Sequence, residues 1–166
     1  MAKPEIVGSI SGDGEVSTVY DHAGRFLFIC DTEDIPKIKS CKFYKARGGY
    51  SQTYINKEWI FAHRLLANAP SGEIVDHISR DTTDNRKCNL RLCTHQQNSF
   101  NAKLSKRNTS GIKGVRWDKS RNKWYAYIAI NKKLINLGRY CKFDDAVSAR
   151  KRAALKYFGR FASEAT

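Results

Sequence analysis

A polar, basic stretch without hydrophobic periodicity, residues 102 to 109, constrains the fold of this chain more than any other feature of its sequence. It carries Lys103, Lys106 and Arg107 and ends at Asn108-Thr109. A segment of that composition predicts a linker or a flexible arm. The 166 residues fit one ordinary domain or two small ones. We therefore predict two domains, residues 1–101 and 110–166, joined by a basic linker at 102–109.

The positive charge is concentrated after the linker begins. The net charge of the chain is +14. Residues 110–166 carry eight Lys and six Arg against three Asp and one Glu, or +10, and the linker adds +3, which leaves +1 for residues 1–101. Segregated positive charge predicts a nucleic-acid partner, because each phosphate contact releases condensed counterions. The alternative is a protein that is merely basic.

The remaining composition favours an unanchored intracellular protein. Five cysteines without Cys-x-x-Cys spacing suggest free thiols rather than a disulfide framework or a four-thiolate zinc site. No apolar run reaches the roughly 20 residues that span a bilayer, and the Met1–Glu5 start lacks the apolar core of a signal peptide. We expect a cytoplasmic protein without a membrane partner or a small-molecule substrate.

The first 101 residues predict short strands followed by a strand, loop, strand, helix segment. Strands are expected at 15–20, 26–30 and 52–60, with turns at Ser11-Gly12-Asp13-Gly14 and Gly48-Gly49. A short helix is expected at 62–67, and strands at 74–78 and 89–93 flank a loop rich in Asp, Thr and Asn. Thr94 and Gln97 form a capping-box pattern, which predicts a helix to Asn101.

The last 57 residues predict a three-stranded antiparallel sheet packed on one helix. Turn residues separate apolar and aromatic runs at 114–117, 124–130 and 134–140. Residues 144–158 follow a helical period, with Asp144 and Asp145 in the first turn and Gly159 able to close the helix. The fold class is therefore α+β.

Asp76-His77 is the pair of residues best suited to catalysis. Hydrolysis of a phosphodiester requires a group that takes a proton from water and a cation that neutralises charge on the phosphate, and a His beside an oxygen-ligated divalent ion supplies both. Neighbouring strand residues point to opposite faces, so both can face one site only at a bend or a strand end. Taken singly, such a pair is as typical of a turn or a surface.

The surrounding motifs resemble the HNH endonucleases of phage and intron homing type. The resemblance spans about residues 45–101. It is carried by five runs: His63-Arg64-Leu65, Val75-Asp76-His77-Ile78, Asp84-Asn85-Arg86, Asn89-Leu90-Arg91 and His95-Gln96-Gln97-Asn98. It implies a ββα-metal fold with a core at about 73–101 around one divalent ion.

The resemblance also implies a role for each matching position. His77 would be the general base, Asp76 and Asn98 the metal ligands, and Asn85 the residue that braces the loop orienting His77. Asn98 stands where many relatives have a metal-binding His, which matches the Asp/Asn subtype. Oxygen ligands favour Mg²⁺ or Mn²⁺ over zinc.

Other residues of the motif have open roles. Arg64, Arg86 and Arg91 are candidate phosphate contacts or ordinary surface charges. His63 could touch phosphate or hydrogen-bond within the fold. His95, one helical turn before Asn98, could supplement the metal site or be solvated.

Residues 110–162 are similar to the DNA-binding domain of the plant apetala-two and ethylene-responsive-factor type. The similarity is carried by the run Ser110–Trp117, by Lys123-Trp124, by Leu137-Gly138-Arg139-Tyr140 and by the alanine-bearing helix. It implies that the sheet enters the major groove of double-stranded DNA. The matching strand positions are Arg116, Trp117, Arg121, Lys123, Trp124 and Arg139.

Two features of this module remain ambiguous in the sequence. Trp124 shares a strand face with Ala126, Ile128 and Ile130, so it could belong to the core beneath the helix. Arg150, Lys151, Arg152 and Lys156 could contact DNA or form only the solvated face of the helix.

The sequence therefore predicts a site-directed, metal-dependent DNA endonuclease. One motif supplies one centre, so we expect a monomer that nicks one strand, with dimerisation as the route to a double-strand break. The first alternative is a DNA-binding regulator with an inert HNH motif. The second is an RNA-binding accessory protein, although the common RNA-module motifs are not found in the sequence.

Overall fold

The computed structural model describes residues 6–11 and 14–162, and side chains from residue 15 onward. The chain forms two compact units, residues 1–93 and 94–166. Positions 12 and 13 of the predicted turn at Ser11–Gly14 lie outside the described residues, as does the Met1–Glu5 start. Each unit is described by itself.

The first unit begins with a three-stranded antiparallel sheet in the order β1-β2-β3. Its strands are β1 at Ile6–Ser11, β2 at Gly14–Tyr20 and β3 at Phe26–Asp31. β2 and β3 pair from Val16↔Asp31 to Tyr20↔Phe26 with an irregularity after Val19. Leu27, Phe28 and Cys30 of β3 are buried. β3 is therefore the strand that carries this sheet into the core.

A second antiparallel sheet has the order β4-β5-β6, and two short helices accompany it. The strands are β4 at Phe43–Lys45, β5 at Ser51–Ile55 and β6 at Glu58–Phe61. Helix α1 spans Ile35–Ile38 with Pro36 in its first turn, where the missing N–H costs nothing. Helix α2 spans Ala62–Leu66 and ends before Asn68 at φ 48°.

One hydrophobic core serves both sheets and both helices of this unit. Its buried members are Val19, Leu27, Phe28, Cys30, Ile38, Cys41, Phe43, Ala62 and Leu66. The rings of Phe28 and Phe43 meet edge to face at 5.1 Å between centroids. Burial raises the pKa of the Cys30 thiol to about 12, so this cysteine acts as an apolar packing residue.

A two-stranded antiparallel sheet completes the first unit. It pairs β7, Ile74–His77, with β8, Leu90–Cys93, from Ile74↔Cys93 to His77↔Leu90. The intervening loop is tied to the first sheet through Ile29, whose N–H donates to the Thr83 carbonyl at 2.9 Å and whose carbonyl accepts from the Asn85 N–H at 2.9 Å. This connection fixes the loop over a long sequence separation.

The second unit begins with helix α3, His95–Asn101, whose capping box forms as the sequence predicts. The Thr94 hydroxyl accepts from the Gln97 N–H at 3.2 Å, and the Gln97 side chain accepts from the Thr94 N–H at 2.9 Å. The Phe100 ring stacks on Phe158 at 3.5 Å between centroids. α3 is thus attached to its own unit through the C-terminal helix.

A three-stranded antiparallel sheet and a long helix form the rest of the second unit. The strands are β9 at Val115–Asp118, β10 at Lys123–Ile130 and β11 at Lys133–Tyr140, in the order β11-β10-β9. Helix α4 spans Phe143–Phe158 and ends at Gly159, φ 51°. Val115, Ala126 and Ala146 form a buried cluster, to which Trp124 and Phe143 are added at its edge.

Small antiparallel sheets and short helices agree with the predicted α+β class. At Arg150 neither alternative left open by the sequence, a DNA contact or a solvated face, agrees with the structure, because this side chain is only 3% exposed. It lies over the Phe158 ring at 5.4 Å, and its Nε and Nη1 atoms are buried without a hydrogen-bond partner. Desolvation lowers the Arg150 pKa.

Among the described residues, no helix combines the length and apolarity needed to cross a membrane.

Candidate active site

The end of β7 positions Asp76 and His77. His77 is the last residue of the strand, and the Arg80 N–H donates to its carbonyl at 2.9 Å to form the turn that follows. Both side chains are buried, Asp76 at 7% and His77 at 4% exposure. Regular alternation would bury only one of two neighbours. Val75 is buried as well, so β7 is covered on both faces and both polar side chains lie within the protein.

A buried hydrogen bond fixes the orientation of the His77 ring. Its Nε2 lies 2.9 Å from Oδ1 of Asn85, which is 1% exposed. With the amide oxygen as acceptor, Nε2 is the donor of this bond. The bond holds the ring in one orientation at the end of β7.

The loop between β7 and β8 holds Asn85 in place through Asn89. The Asn89 side chain donates to the Asp84 carbonyl at 2.7 Å and accepts from the Ser79 N–H at 2.8 Å. The Ile78 N–H donates to the Asn89 carbonyl at 2.8 Å. Together with the contacts of Ile29, these bonds fix both ends of the loop. Asn85 thus braces His77 from a rigid segment rather than from a mobile turn.

Asp84 and Arg86 form an ion pair beside Asn85. Arg86 Nε lies 2.8 Å from Asp84 Oδ1, and Nη2 lies 2.7 Å from Oδ2. The hydrogen bond from Arg86 holds the pKa of Asp84 below its usual value, and the pKa of Arg86 is raised by the same contact. Arg86, a candidate phosphate contact, is therefore an internal ion-pair partner of this loop.

Asp76 is paired with Arg91 across the two-stranded sheet. Arg91 Nε and Nη2 lie 2.9 and 2.7 Å from the same carboxylate oxygen, Oδ2. The two side chains are 7% and 14% exposed, so the pair is largely removed from water. The register places Asp76 directly opposite Arg91. The candidate metal ligand is thus neutralised by a candidate phosphate contact.

An aromatic cluster packs around His77 and includes His63. The His63 ring lies 5.1 Å from His77, 5.2 Å from Tyr50 and 5.5 Å from Phe61, on which it stacks. Tyr50 also lies 5.9 Å from His77. Burial, with smaller electrostatic effects of His77 and Arg64, lowers the His63 pKa to about 3. A neutral His63 therefore supports the His77 ring by packing.

Arg64 is the third arginine of the HNH-like motif, and it contacts backbone rather than a carboxylate. Its Nη2 donates to the Pro70 carbonyl at 2.8 Å, and its Nη1 donates to the Glu73 carbonyl. It thereby holds the segment that leads from α2 into β7. The structure gives Arg64, Arg86 and Arg91 internal partners, and their contacts with DNA remain predictions.

Asn98 and His95 lie on α3 and belong to the second unit. Both side chains are exposed. The Asn98 N–H donates to the Thr94 carbonyl at 2.9 Å, which keeps it in the first turns of the helix. The predicted ligation of a metal by Asp76 and Asn98 therefore stays a prediction.

The donors of the first unit suit a hard cation better than zinc. Within the described part of the chain, no three His, Cys, Asp or Glu side chains gather as a metal-binding group. The Asp76 carboxylate offers oxygen, the donor that Mg²⁺ and Mn²⁺ prefer, and these ions retain several waters. An amide oxygen such as that of Asn98 and a substrate phosphate are compatible further ligands.

The sheet of the second unit exposes a row of two arginines and one tyrosine. Tyr125 on β10 pairs in register with Arg116 of β9 and Arg139 of β11. The guanidinium carbons of Arg116 and Arg139 lie 5.3 and 4.8 Å from the Tyr125 ring centroid. Such stacking pre-orients both guanidinium groups. Arg116 and Arg139 therefore share the sheet face opposite the buried Ala126.

The two tryptophans predicted at DNA contacts lie on the other side of this sheet. Trp117 and Trp124 are register partners, 5.2 Å apart between centroids. Trp124 meets the Phe143 ring of α4 at 4.7 Å, so the core role left open by the sequence is the one that the structure favours. Trp117 is 42% exposed. Its contact with DNA remains a prediction.

Asp118 restrains two of the predicted basic contacts. It lies 2.9 Å from Arg139 Nε and 3.5 Å from Arg121 Nη1. Hydrogen bonds from Ser120 and Arg139 lower the Asp118 pKa to about 2, so it stays ionised. Lys123, opposite Asp118 in the register, is exposed. Arg121, Lys123 and Arg139 remain accessible at the end of the sheet.

Tyr50 and Tyr125 are residues that sequence reasoning missed. Tyr50 follows the predicted Gly48-Gly49 turn but carries no motif, and its packing on His63 and His77 depends on long-range folding. The alternation of β10 could have placed Tyr125 opposite the Trp124 face, and Tyr127 stacks beside it at 5.6 Å.

Comparison with known proteins gives a consistent assignment. The family model described as HNH endonuclease matches residues 61–100. The uncharacterized HNH endonuclease L560 of Acanthamoeba polyphaga mimivirus is 31% identical over 145 residues, which cover 84% of this chain and 74% of the relative. The chain therefore belongs to the HNH endonuclease family, and by class it is a nuclease.

A phage relative covers a shorter segment. Protein 3.8 of Escherichia phage T7 is 39% identical over 83 residues, which are 50% of this chain and 62% of that relative. The match thus spans less than two thirds of the phage protein. No solved structure matches the chain with significance.

Proposed function

We propose that this protein is a metal-dependent DNA endonuclease that cuts a phosphodiester bond at a site selected by its basic C-terminal unit. The observation that carries the proposal is the hydrogen bond between His77 Nε2 and Asn85 Oδ1, beside the carboxylate of Asp76. It orients the ring of His77, which would accept a proton at Nδ1, next to an oxygen donor suited to a divalent cation.

In the proposed reaction, His77 takes a proton from the attacking water at Nδ1. Asn85 keeps the ring oriented through Nε2, and the packed rings of Tyr50 and His63 prevent it from rotating. Asp76 and Asn98 would hold one Mg²⁺ or Mn²⁺, and that cation, when bound, neutralises negative charge on the phosphate and the leaving 3′ oxygen. The support for Asn98 is its spacing from Asp76 in the HNH-like motif.

The pairing of Asp76 with Arg91 gives Arg91 a place in this scheme. A carboxylate that is 7% exposed needs a positive partner, and the guanidinium supplies it. A cation at Asp76 would share or replace that partner. In this scheme Arg91, Arg86 and Arg64 would contact substrate phosphate. This assignment rests on the motif.

The C-terminal unit is proposed to locate the site on double-stranded DNA. It carries almost all of the net charge, and its sheet exposes Arg116 and Arg139 held on Tyr125. Arg121 and Lys123 extend the same proposed contact area, and Trp117 is a separate proposed contact on the other face of the sheet. The likeness to the apetala-two and ethylene-responsive-factor domain supports entry of the sheet into the major groove. Linker residues 102–109 would add backbone contacts.

Single-strand nicking by a monomer is part of the proposal, since one HNH motif supplies one centre. A homing-type role and action in the cytoplasm of a bacterium or a phage-infected cell are proposed with it, on the motif subtype and the phage relative. The proposed domains remain residues 1–101 and 110–166.

The test incubates full-length protein with supercoiled plasmids carrying varied sequences, in Mg²⁺ and in Mn²⁺. Wild type should convert supercoiled plasmid to the relaxed form. His77→Ala should lose activity by a factor of roughly 10² to 10⁴, because the positioned base is removed. His22→Ala is the matched control, since His22 is an exposed histidine, and it should cut as wild type does.

A DNA-binding regulator with an inert motif is the second candidate, and one observation favours it. The Asp76 carboxylate is already neutralised by Arg91, as it would be in a site that has no use for a cation. Binding without cleavage on every plasmid and metal, with equal behaviour of His77→Ala, would establish that candidate in place of the enzyme.

A further inference from the structure

The β4-β5-β6 sheet has one face turned to the core and one turned to solvent. Phe43 and Thr53 are 2% and 1% exposed, and they fill the core face. The outward positions carry Tyr44, Tyr54 and Trp59, which are 39%, 55% and 55% exposed. We call these three side chains the aromatic face. A contiguous exposed patch of large rings marks a binding surface more often than a packing requirement.

The three rings form one continuous platform with Trp59 at its centre. Trp59 lies 5.7 Å from Tyr44 and 5.3 Å from Tyr54 between centroids. Tyr54 and Trp59 are register partners on adjacent strands, joined by the tight turn at Asn56-Lys57, where both residues have positive φ. The platform is therefore built on paired strands and needs no rearrangement to present its rings.

Positive charge surrounds this platform, although the first unit as a whole is nearly neutral. Lys42 Nζ lies 5.5 Å from the Tyr44 ring centroid, and Lys57 is exposed at the turn. Tyr44 also lines an open cavity of about 400 Å³ together with Arg25 and Lys45.

The acidic groups nearby do not cancel this charge. The one acid lining the cavity, Asp21, is paired with Arg25 at 2.8 Å, and its pKa is lowered to about 2 mainly by the backbone N–H of Arg25. Glu58 is the exposed acid of the turn and follows Lys57 in the chain. Lys45, which is exposed and lines the cavity with Tyr44, can face an anionic ligand beside the rings.

We propose that the aromatic face binds unpaired bases of DNA, with the surrounding lysines contacting its phosphates. Exposed rings beside cations match a single strand, whose bases offer their faces for stacking at regular intervals. A duplex hides those faces and offers only groove edges and backbone. The inference rests on the proposed function only in taking DNA as the ligand. It gives the first unit its own DNA contact, distinct from the basic sheet of the second unit.

The test measures binding of full-length protein to labelled dT12 and to a 12-base-pair duplex by fluorescence anisotropy, in EDTA and at one ionic strength. Trp59→Ala and Tyr54→Ala should each weaken dT12 binding roughly tenfold, within the range for loss of one stacking ring. Duplex affinity should change less than about twofold, because duplex binding depends on phosphate contacts made largely elsewhere. Trp59→Phe keeps a ring and should retain most of the affinity for dT12.

Tyr157→Ala is the matched control, since Tyr157 is 43% exposed on the other unit, and it should bind dT12 as wild type does. Ultraviolet crosslinking of wild type to dT12 containing 5-bromodeoxyuridine should label the segment of residues 42–59, independently of any variant. Unchanged dT12 affinity in both alanine variants, or crosslinks confined to residues 94–166, would overturn the proposal. The proposal would also be overturned if wild type were a dimer that the Trp59→Ala substitution dissociates while the affinity for dT12 stays the same.

The outcome is separable from that of the cleavage test. His77→Ala should bind dT12 as wild type does, because His77 is 4% exposed and lies outside the aromatic face. A protein that cuts no plasmid can still satisfy the binding test, and a protein that cuts normally can fail it.

Discussion

The two units of this protein place their polar groups in opposite ways. The first unit buries many of them, including His63, Asp76, His77, Asp84, Asn85 and Asn89. In the described part of the second unit, the buried polar side chains are Asn101 and Arg150. Yet the second unit carries +13 of the total charge and the first only +1. The first unit uses buried polar groups to orient candidate site residues, and the second unit carries its charged groups on its surface.

The difference has a physical basis. A group that must hold one orientation has to be desolvated and hydrogen-bonded, which is costly unless each partner is in place. A group that attracts a polyanion acts through solvent and counterions and has to remain accessible. Variants in the first unit should therefore alter stability and chemistry, and variants in the second should alter the salt dependence of binding.

The largest expected effect tests the buried ion pair of the first unit. Arg91→Met should lower the free energy of unfolding by about 3 kcal/mol or more, because it leaves the buried Asp76 carboxylate without its guanidinium. Urea denaturation followed by circular dichroism measures this loss. Arg86→Met is the matched control: Arg86 is more exposed than Arg91, so the loss should be clearly smaller. Equal losses of unfolding free energy in the two variants would show that burial does not make the Asp76–Arg91 pair more important for stability than the Asp84–Arg86 pair.

The next effect tests the hydrogen bond that orients the base. Asn85→Ala should reduce the cleavage rate roughly 10- to 100-fold, as outer partners of a functional histidine do. Asn85→Asp keeps an oxygen acceptor at the same place and should recover part of the loss. The measurement is the rate of plasmid relaxation at saturating protein. Identical rates for Asn85→Ala and wild type would remove Asn85 from the site.

The third effect is a pH dependence of stability that arises from His63. Its folded pKa of about 3 lies below the ordinary value near 6.5, so between these values the unfolded chain binds more protons. Stability should be fully present above pH 6.5 and fall as the pH drops towards 3. The slope from this group is up to about 1.4 kcal/mol per pH unit. His63→Phe should flatten the urea-derived profile in that window, and an unchanged slope would contradict the burial of a neutral His63.

The smallest effect belongs to the surface of the second unit. Arg116→Ala should weaken duplex binding and reduce the slope of log affinity against log salt concentration by about one, as expected for one lost phosphate contact. Anisotropy at several salt concentrations measures both. The unfolding free energy should stay within about 0.5 kcal/mol of wild type. A large loss of stability with no change in slope would assign Arg116 to the fold.

The sequence predicted the elements better than their surroundings. Period-two strands, the helical spacing of α4 and the capping box of Thr94 and Gln97 are local signals, and the structure has elements at these places. The pairing of Ile29 with the loop at Asp84 is not local, and no nearby residue specifies it. Asn85 could therefore be named from its motif, while the support behind it could not.

Side-chain partners were the least predictable feature of the site. Arg91 carries the same signal as any arginine within a strand, and only the register with Asp76 shows that it is an ion-pair partner. Tyr50 carried no signal of its own. Arg150 lies next to Lys151 and Arg152, so its sequence context suggests an exposed charge, whereas tertiary packing buries it.

The burial of Arg150 has a consequence for which substitutions this chain can tolerate. A β-carbon built at Gly114, where φ is 80°, would lie 2.6 Å from Arg150 Nε and 2.4 Å from the Tyr127 carbonyl oxygen. A shorter side chain at 150 would relieve the first clash but not the second. Gly114→Ala should therefore be damaging alone, and Arg150→Leu should rescue it only in part. Position 114 is thus restricted to glycine by the backbone of β10, whatever side chain stands at position 150.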